Sequence, residues 1–510
     1  MEMIQNIVLG FGVALQPINL LYCFIGCLAG TLIGVLPGIG PVTGVAILIP
    51  ITFGMDPITA TIMLAGIYYG AMYGGSTTSI LINVPGESAS VMTAVDGYQM
   101  ARQGRAGAAL GISAIGSFIG GTASIIGLML IAPPVASLAL SFGPPEYFVL
   151  MLLGLATLTR LAGKNLFKGL GMGFLGILIG TVGLDPVAGV QRFTFGRADL
   201  LDGIGFVSVA MGLFALGEIL INIEGSPEER VFSTQIGSLL PTRSDWLACR
   251  WTIVRATIIG FLIGSLPGAG ATVSAFMAYA AEKKASKTPE RFGQGAIEGI
   301  CAAETANNAA TGGALVPLLT LGIPSSATVA ILMGALMMYG LRPGPLLLSE
   351  RPDFFWGVVT SMYIGNVMLL VLNLPMIGLF VQILKVPYGI LSPLIIMFVL
   401  LGAYALKNSV ADLVTTILFG LMGYLMKRFG IEPAPLILAF VLGPMLENSL
   451  SKALIMSRTG NPLFFFTRPI SAALLSLAIL VLLFPLLRWA WRSATGRGNR
   501  RRHAAAQRNG

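Results

Sequence analysis

Apolar runs long enough to cross a lipid bilayer recur along almost the whole of this 510-residue chain. A membrane-spanning helix needs about 20 apolar residues, and the clearest runs cover residues 4–30, 106–131, 252–281 and 469–487. Charged residues make up only 10% of the sequence, against about 25% in an ordinary soluble domain. The sequence therefore predicts a protein that crosses the membrane many times and has no separate soluble domain.

The composition favours helices over a transmembrane β-barrel. A barrel shows short segments in which apolar and polar residues alternate, whereas these runs are unbroken and carry many of the 65 glycines and 29 prolines. Glycine permits close contact between membrane helices, and both residues permit interruptions. We predict an all-α polytopic membrane fold with about 10–14 membrane segments of about 20 residues each, some of them discontinuous helices or re-entrant hairpins.

The two ends of the chain differ in charge. The first basic residue is Arg102, so the amino terminus lacks the basic segment of a cleaved signal peptide, and we expect the first apolar run to be retained as a helix. The tail from Arg488 onward carries many arginines and no acid, which predicts a cytoplasmic position. Anionic membrane lipid explains this charge as well as nucleic acid does, so we infer no nucleic-acid partner.

One segment recurs in the second half of the chain. The string GTLIGVLPGIG, which starts at Gly30, returns as GFLIGSLPGAG from Gly260 with identity at eight of eleven positions. Weaker echoes follow in the same order, including GLDP from Gly183 and GIEP from Gly430. Such self-similarity predicts a duplicated architecture, with a first transmembrane repeat over 1–222, a polar connecting segment over 223–250, a second repeat over 251–490 and a basic cytoplasmic tail over 491–510.

The charges of equivalent loops indicate how the repeats are oriented. The loop after the first copy, residues 51–60, has one acid and no base, whereas its equivalent carries Lys283, Lys284, Lys287 and Arg291. Because basic loops favour the cytoplasm, these two loops are expected on opposite sides of the membrane. The later equivalent loops do not differ in charge in this way, because Arg102 and Arg105 correspond to Arg342 and Arg351. The comparison predicts inverted-topology repeats, which are typical of secondary transporters.

The shared string LPG-x-G places a proline and two glycines inside an apolar run. Proline removes a backbone hydrogen bond and glycine permits unusual backbone angles, so each helix is expected to break there. A break at membrane depth is tolerated inside protein or along a wet cavity, where a helix amino terminus could face an anion. The alternative is that these glycines only let helices pack closely. The candidate substrate-binding residues are Pro37, Gly38, Gly40, Pro267, Gly268 and Gly270.

A second feature, also present twice, is a dense polar cluster inside the apolar sequence. Hydroxyl, amide and loosened carbonyl groups suit the carboxylates of an anion or a coupling sodium ion. Ordinary hydrogen bonding between helices is the competing explanation for any single residue. The candidates for substrate binding are Gly74, Gly75, Ser76 and Thr77 in the first cluster, and Asn307, Asn308, Gly312, Gly313 and Ser325 in the second.

Glu304 is the most specific candidate for binding a coupling ion. A carboxyl group within an apolar span is costly and is a functional hypothesis by default, and Thr311 lies further along the same predicted helix. Glu304 could bind a cation or carry a proton. Alternatively, it could simply reach a wet vestibule, because a basic loop ends about 15 Å away at helical rise.

Motifs for catalysis are absent from the sequence. The sole histidine, His503, lies in the polar tail, and the sequence contains no phosphate-binding loop, zinc spacing or nucleophile elbow. The four cysteines, at positions 23, 27, 249 and 301, show no metal-ligand spacing and are interpreted as packing residues. We therefore predict no enzymatic activity and no cofactor. An ion-coupled carrier is the leading hypothesis, and a channel or passive pore for small organic anions is the alternative.

At these motifs the chain resembles the large membrane subunit of the tripartite tricarboxylate transporter (TctA) family. The resemblance covers nearly the whole length and is most specific at GTLIGVLPGIGP, YGGSTTSILINVPGE, GSLPGAGATVSAFMAYAAEKK and ETANNAATGGALVPLLTLGIPSSAT. The glycine-proline and polar signatures of the family fall on the candidate residues named above.

The resemblance implies a multi-pass protein of the bacterial inner membrane. It implies uptake of citrate or related carboxylates by alternating access, driven by a sodium or proton gradient. It also implies two partners, which are a small four-helix membrane subunit and a periplasmic solute-binding protein.

Overall fold

The computed structural model describes residues 2–36, 38–161, 166–185, 189–224, 237–268, 270–383, 388–457, 460–461 and 463–483. The predicted basic tail and residues 225–236 of the predicted connecting segment lie outside the described residues. Within the described part the chain is almost entirely helical, and its only strands are β1 (Gly183–Leu184) and β2 (Gln191–Arg192), which pair antiparallel.

Up to residue 224 the helices are α1 (Glu2–Ala14), α2 (Pro17–Val35), α3 (Pro41–Leu48), α4 (Pro57–Ile82), α5 (Val91–Arg102), α6 (Ala106–Ala139), α7 (Pro144–Leu161), α8 (Leu166–Gly180), α9 (Phe206–Ala210) and α10 (Gly217–Glu224). A π-helical turn (Met211–Leu216) joins α9 to α10, and 3₁₀ turns cover Ile49–Thr52, Ser88–Ser90 and Ala198–Leu200.

The later helices are α11 (Arg243–Gly264), α12 (Gly270–Ala285), α13 (Ile297–Leu321), α14 (Ala327–Met338), α15 (Pro345–Glu350), α16 (Pro352–Asn373), α17 (Ile377–Ile383), α18 (Tyr388–Ala405), α19 (Val410–Arg428), α20 (Ala434–Met456), α21 (Phe464–Thr467) and α22 (Pro469–Leu483). A 3₁₀ turn covers Pro289–Arg291.

Seven of the helices in the described residues are long and apolar enough to cross a membrane. They are α2, α6, the continuous α9–α10 helix, α11, α16, α19 and α20, and shorter apolar helices lie between them. The prediction of an all-α polytopic membrane protein is therefore confirmed. The division into two repeats, their boundaries and their inverted orientation stay predictions.

The apolar run at residues 4–30 is two helices rather than one. The α1 helix ends at Ala14, and α2 begins at Pro17, which occupies its first turn. A proline in this position has no amide hydrogen to donate, and its fixed φ suits a helix start. The run is therefore divided into the short α1 helix and the α2 helix, which is long enough to span. The expectation that this run is retained stays a prediction.

The α4 and α13 helices occupy the interior of the protein. Every residue of α4 from Ile58 to Leu81 is buried, and so is every residue of α13 from Gly299 to Thr320. Both helices end with a residue in the left-handed region, Asn83 at φ 58° and Gly322 at φ 69°. The chain therefore turns back sharply after each helix and returns toward the site described below.

Glycines let α4 and α13 lie against the interrupted helices. On α2, Gly26, Gly30 and Gly34 follow one another at a spacing of four residues and face the α4 backbone. A Cβ atom at Gly30 would collide with the carbonyl oxygen of Ile67, and one at Gly260 of α11 would collide with that of Ala306. Small residues permit such close backbone approach in membranes, so these glycines hold α2 on α4 and α11 on α13.

We predict that Gly30→Ala lowers the thermal midpoint of the detergent-solubilised protein. The added methyl group must push α2 away from α4, and overpacking of this kind costs about 1–3 kcal/mol. The matched control is Gly12→Ala in α1, where a Cβ atom meets nothing within 4 Å. Alanine favours a helix over glycine, so the control should be neutral or slightly stabilising. Equal midpoints for the two variants would show that the α2–α4 contact does not depend on Gly30.

Candidate functional site

The two helix interruptions meet at one cavity of about 700 Å³. The first interruption separates α2 from α3, and the second separates α11 from α12. Gly38 and Gly40 line the cavity from the first, and Gly268 and Gly270 line it from the second. Pro267 lies beside the cavity and is half-buried, while Pro37 lies outside the described residues. Four of the six LPG-x-G candidates are thus brought together.

The middle glycines of both strings have backbone angles that other residues rarely adopt. Gly38 has a φ of 76° and Gly268 a φ of 82°, in the left-handed region that favours glycine. A Cβ atom at Gly38 would also lie 3.0 Å from Nδ2 of Asn222. The amide of Gly268 donates to the carbonyl oxygen of Ser325 at 2.8 Å, which fixes the second turn against the segment after α13.

Several helices begin at the cavity. The first residues of α3, α12, α14 and α20 line it, and so does Ser88, which begins the 3₁₀ turn before α5. The first turn of a helix leaves amide hydrogens unpaired and carries the positive end of the helix dipole. The start of α3 has no side-chain cap. The cavity is therefore surrounded by backbone groups that favour a bound anion.

Four acidic or basic side chains line the cavity, namely Glu87, Glu218, Lys427 and Glu432. Lys427 lies in the last turn of α19, and its ammonium group forms an ion pair with Glu218 of α10. Sequence reasoning missed both residues of this pair. In the sequence, Lys427 looks like an ordinary basic residue at a helix end. The repeated GIEP string that starts three residues later was the one pattern that drew attention to this region. Glu218 was detectable as an acid inside an apolar run.

The π-helical turn also reaches the cavity, through Phe214. The Phe214 carbonyl accepts a hydrogen bond from the Thr43 hydroxyl of α3 at 3.0 Å. A π-turn leaves such carbonyl groups free of their usual helical partners, and such turns are frequent at functional sites. The α9–α10 helix thereby holds the start of α3 in place, a link that the sequence did not indicate.

Glu87 lines the cavity and is almost completely buried. One oxygen, Oε2, accepts from the amide of Ala89 at 2.7 Å, and Oε1 accepts from Nδ2 of Asn307 at 3.1 Å. A Cβ atom at Gly75 would lie 2.8 Å from the Glu87 side chain, so Gly75 leaves room for this carboxylate. Asn307 and Gly75, both predicted site residues, thus contact a group that faces the cavity.

Glu304 is fully buried and does not line the cavity. Its carboxylate accepts hydrogen bonds from the hydroxyls of Ser76 at 2.6 Å, of Ser117 at 3.4 Å and of Thr93. These donors come from α4, α6 and α5. The expectation that Glu304 could reach a wet vestibule is not met in this conformation, because three helices cover it. A carboxylate so enclosed requires hydrogen-bond donors or a cation to offset its lost hydration.

The remaining predicted polar residues are buried and do not line the cavity. Asn308 donates to the Ser117 hydroxyl at 2.7 Å, and Thr311 donates to the carbonyl of Asn308 at 2.6 Å. Thr77 is buried within α4. The hydroxyl of Ser325 lies 3.5 Å from the carbonyl oxygen of Ala314.

The glycines at positions 74, 312 and 313 are packing residues in this structure. A Cβ atom at Gly74 would collide with the Thr31 carbonyl, and one at Gly313 would collide with that of Phe261. A Cβ atom at Gly312 would collide with the Ser124 side chain. The close-packing explanation therefore fits these three positions, whereas it does not account for Gly38 and Gly268.

Interrupted helices around a charged cavity in a multi-pass α-helical protein are typical of membrane transport proteins. Residues 20–438 match the Tripartite tricarboxylate transporter TctA family. The chain belongs to this family, as the motifs predicted, and is thus a membrane subunit of a tripartite transport system rather than a member of an enzyme family.

Two relatives from Agrobacterium vitis are similar to this chain. An uncharacterized 52.8 kDa protein of the TAR-I ttuC′ 3′ region is 49% identical over 487 residues, which are 96% of this chain and 97% of the relative. An uncharacterized protein of the TAR-II ttuC′ 3′ region is 46% identical over 228 residues, which are 45% of this chain and 94% of the relative. No solved structure matches the fold.

We predict that Gly38→Val and Gly268→Val each abolish transport while the protein still inserts into the membrane. A valine side chain is strained at a positive φ and would project where the backbone borders the cavity. Membrane insertion is measured by fractionation and immunoblotting, and transport by radiolabelled uptake. Gly12→Val in α1 is the matched control, because a Cβ atom at Gly12 meets nothing within 4 Å. Uptake at the wild-type rate in either variant would contradict a role of that interruption in transport, and would favour the alternative that its glycines only let helices pack closely.

Proposed function

We propose that this chain is the large transmembrane subunit of a secondary transporter in the bacterial inner membrane. It takes up tricarboxylates such as citrate, or related carboxylates, by alternating access driven by a sodium or proton gradient. The observation that carries the proposal is that helix amino termini from both interruptions surround one cavity. In this account the two repeats are inverted and the substrate is held between them.

The cavity suits a small anion in its size and in the helix amino termini around it. Small-ligand sites have volumes of roughly 300–1,000 Å³, and this cavity measures about 700 Å³. Unpaired amides at the starts of α3 and α12 can donate to carboxylate oxygens. Carboxylates are larger than simple inorganic anions and offer several acceptor oxygens, so more than one helix start can bind the same molecule.

Lys427 supplies the mobile positive charge in this proposal. It is the one base among the described residues that line the cavity, and Glu218 holds it in the present conformation. A substrate carboxylate can replace Glu218 as its partner, because a charge-assisted hydrogen bond to lysine is strong for either carboxylate. Binding would then exchange one ion pair for another instead of creating a new buried charge.

The coupling ion is proposed to act at Glu304. Burying an ionised carboxylate is costly unless a proton or cation compensates it, and Glu304 is enclosed by hydroxyls from three helices. Thr311 remains a proposed contributor through its position on the same helix. Movement of α13 relative to α4 and α5 would open and close access to this group.

The proposed partners are the other two components of the tripartite system. A periplasmic solute-binding protein would deliver the carboxylate, and a small four-helix membrane subunit would pack against the outer helices. The outward faces of α18 and α19 carry exposed apolar side chains, including Phe398, Leu401, Leu418 and Leu421. Such faces suit membrane lipid or a neighbouring membrane subunit.

Gradient-driven uptake tests the proposal. The chain is reconstituted in proteoliposomes with its small subunit and a matched binding protein, and uptake of citrate and a panel of di- and tricarboxylates is measured under a sodium or proton gradient. We expect saturable, gradient-dependent uptake that falls at least tenfold in Lys427→Met. Arg428→Gln is the control, since this neighbouring base lies outside the cavity lining. No gradient-dependent uptake across the panel would contradict the proposal, and single-channel currents would favour the passive pore.

We predict that Glu304→Gln changes the ion dependence of uptake. Glutamine keeps the shape of the side chain, and its one carbonyl oxygen can accept from the Ser76 hydroxyl while its NH2 group donates to the Thr93 hydroxyl. It cannot, however, release a proton or neutralise a cation. Uptake should therefore no longer respond to the gradient that drives the wild type, while exchange of substrate across the membrane persists. The control is Glu350→Gln at the exposed end of α15. An unchanged ion dependence would remove Glu304 from coupling.

A further inference from the structure

We propose that Asn307 and Glu87 form a binding site for a sodium ion in the wall of the cavity, separate from Glu304. This inference rests on the proposed function as an ion-coupled transporter and names a second, distinct location for a coupling ion. The site lies between α13, which carries Asn307, and the segment after α4, which carries Glu87.

Asn307 carries an acceptor atom that no protein group satisfies. The residue is fully buried, and its Nδ2 donates to Oε1 of Glu87 at 3.1 Å. Its Oδ1 has no hydrogen-bond partner. Rotating the amide would place Oδ1 against the Glu87 carboxylate, where two acceptors would repel each other, so the observed orientation is favoured. A buried acceptor without a partner is costly and indicates a bound group.

Glu87 provides the negative charge beside this acceptor. Oδ1 shares its amide carbon with the Nδ2 that binds Glu87, so the free acceptor lies next to the carboxylate. Glu87 lines the cavity but is only 7% exposed. In the described part of the chain no lysine or arginine forms an ion pair with it. Carboxylate and amide oxygens are the hard ligands that small cations prefer.

The surroundings of Glu304 differ in a way that separates the two sites. Three hydroxyls donate to the Glu304 carboxylate, so its oxygens already have partners. At Asn307, one turn later on α13, an acceptor stays open. Glu87 also accepts two hydrogen bonds, so the difference between the two places is the open amide oxygen of Asn307. This open oxygen, in an amide group that is hydrogen-bonded to a carboxylate, marks Asn307 and Glu87 as a sodium site in addition to the proposed coupling role of Glu304.

The cavity lining carries more negative than positive charge, and a bound sodium ion would offset part of this excess. Three carboxylates, of Glu87, Glu218 and Glu432, line the cavity together with the single ammonium group of Lys427. Glu218 is engaged by Lys427, which leaves two acids without a compensating base in that lining. An anionic substrate entering such a cavity is repelled. A sodium ion at Glu87 removes part of this repulsion, so that sodium and anion bind together.

Direct sodium binding without substrate tests the proposal. The complete chain is purified in detergent, and binding of radioactive ²²Na is measured together with thermal midpoints in NaCl, KCl and choline chloride at equal ionic strength. We expect saturable binding and stabilisation by Na⁺ alone. Asn307→Leu and Glu87→Gln should each weaken Na⁺ binding at least tenfold. Asn307→Asp keeps an oxygen at this position and should bind Na⁺ at least as well as the wild type.

The control is Asn373→Leu, which removes another buried amide, one that donates only to the Leu369 carbonyl of its own helix. It should leave sodium affinity unchanged. If Asn307→Leu does not elute as a single species, Asn307→Asp and Glu87→Gln decide the question. Loss of sodium binding in Asn307→Asp, or wild-type affinity in Glu87→Gln, would overturn the site. Stabilisation that follows pH and not Na⁺ would also overturn it, in favour of a proton.

The outcome is independent of the transport assay. Sodium binding that depends on Asn307 and Glu87, in a protein that takes up no carboxylate, would contradict the proposed function and leave the site standing. Sodium-insensitive protein that still transports carboxylates under a gradient would overturn the site and leave the proposed function standing.

Discussion

Polar backbone groups released from a helix inside a membrane have no water to bind, so an interruption is stable only where protein or a wet cavity supplies partners. Both LPG-x-G segments are interrupted beside the same cavity, which Gly38 and Gly268 line. The rest of the architecture follows from it. The α4 and α13 helices lie buried beside the interrupted helices, and the segments that follow them carry Glu87 and Ser325 to the breaks.

Glycine serves two purposes in this protein, and only the folded structure separates them. At Gly38 and Gly268 it permits a positive φ where the helix is interrupted. At Gly30, Gly74 and Gly313 it permits a neighbouring backbone to approach. The sequence motifs contain both kinds without distinction. Binding and packing are therefore physically linked, since the glycines that hold α2 on α4 also fix the position of the interruption that follows α2.

The sequence predicted the features that depend on local chemistry. Apolar runs, proline and glycine within them, and the family motifs led to an all-α membrane fold, to the interruptions and to the TctA family. It could not predict contacts between distant segments. Lys427 and Glu218 meet across 209 residues of chain (427 − 218), and neither has a local pattern that points to the other. For the same reason, the sequence did not show that three hydroxyls enclose Glu304.

In the proposed function, a carboxylate binds in the cavity between the two interruptions. The most direct measurement is the rate at which a maleimide labels Thr272→Cys, a cavity-lining position, in native membranes with and without substrate. A transported carboxylate should slow labelling at position 272 and leave the exposed Ser349→Cys unaffected. If a carboxylate that is transported leaves the labelling rate at position 272 unchanged, the substrate binds elsewhere and the account is contradicted.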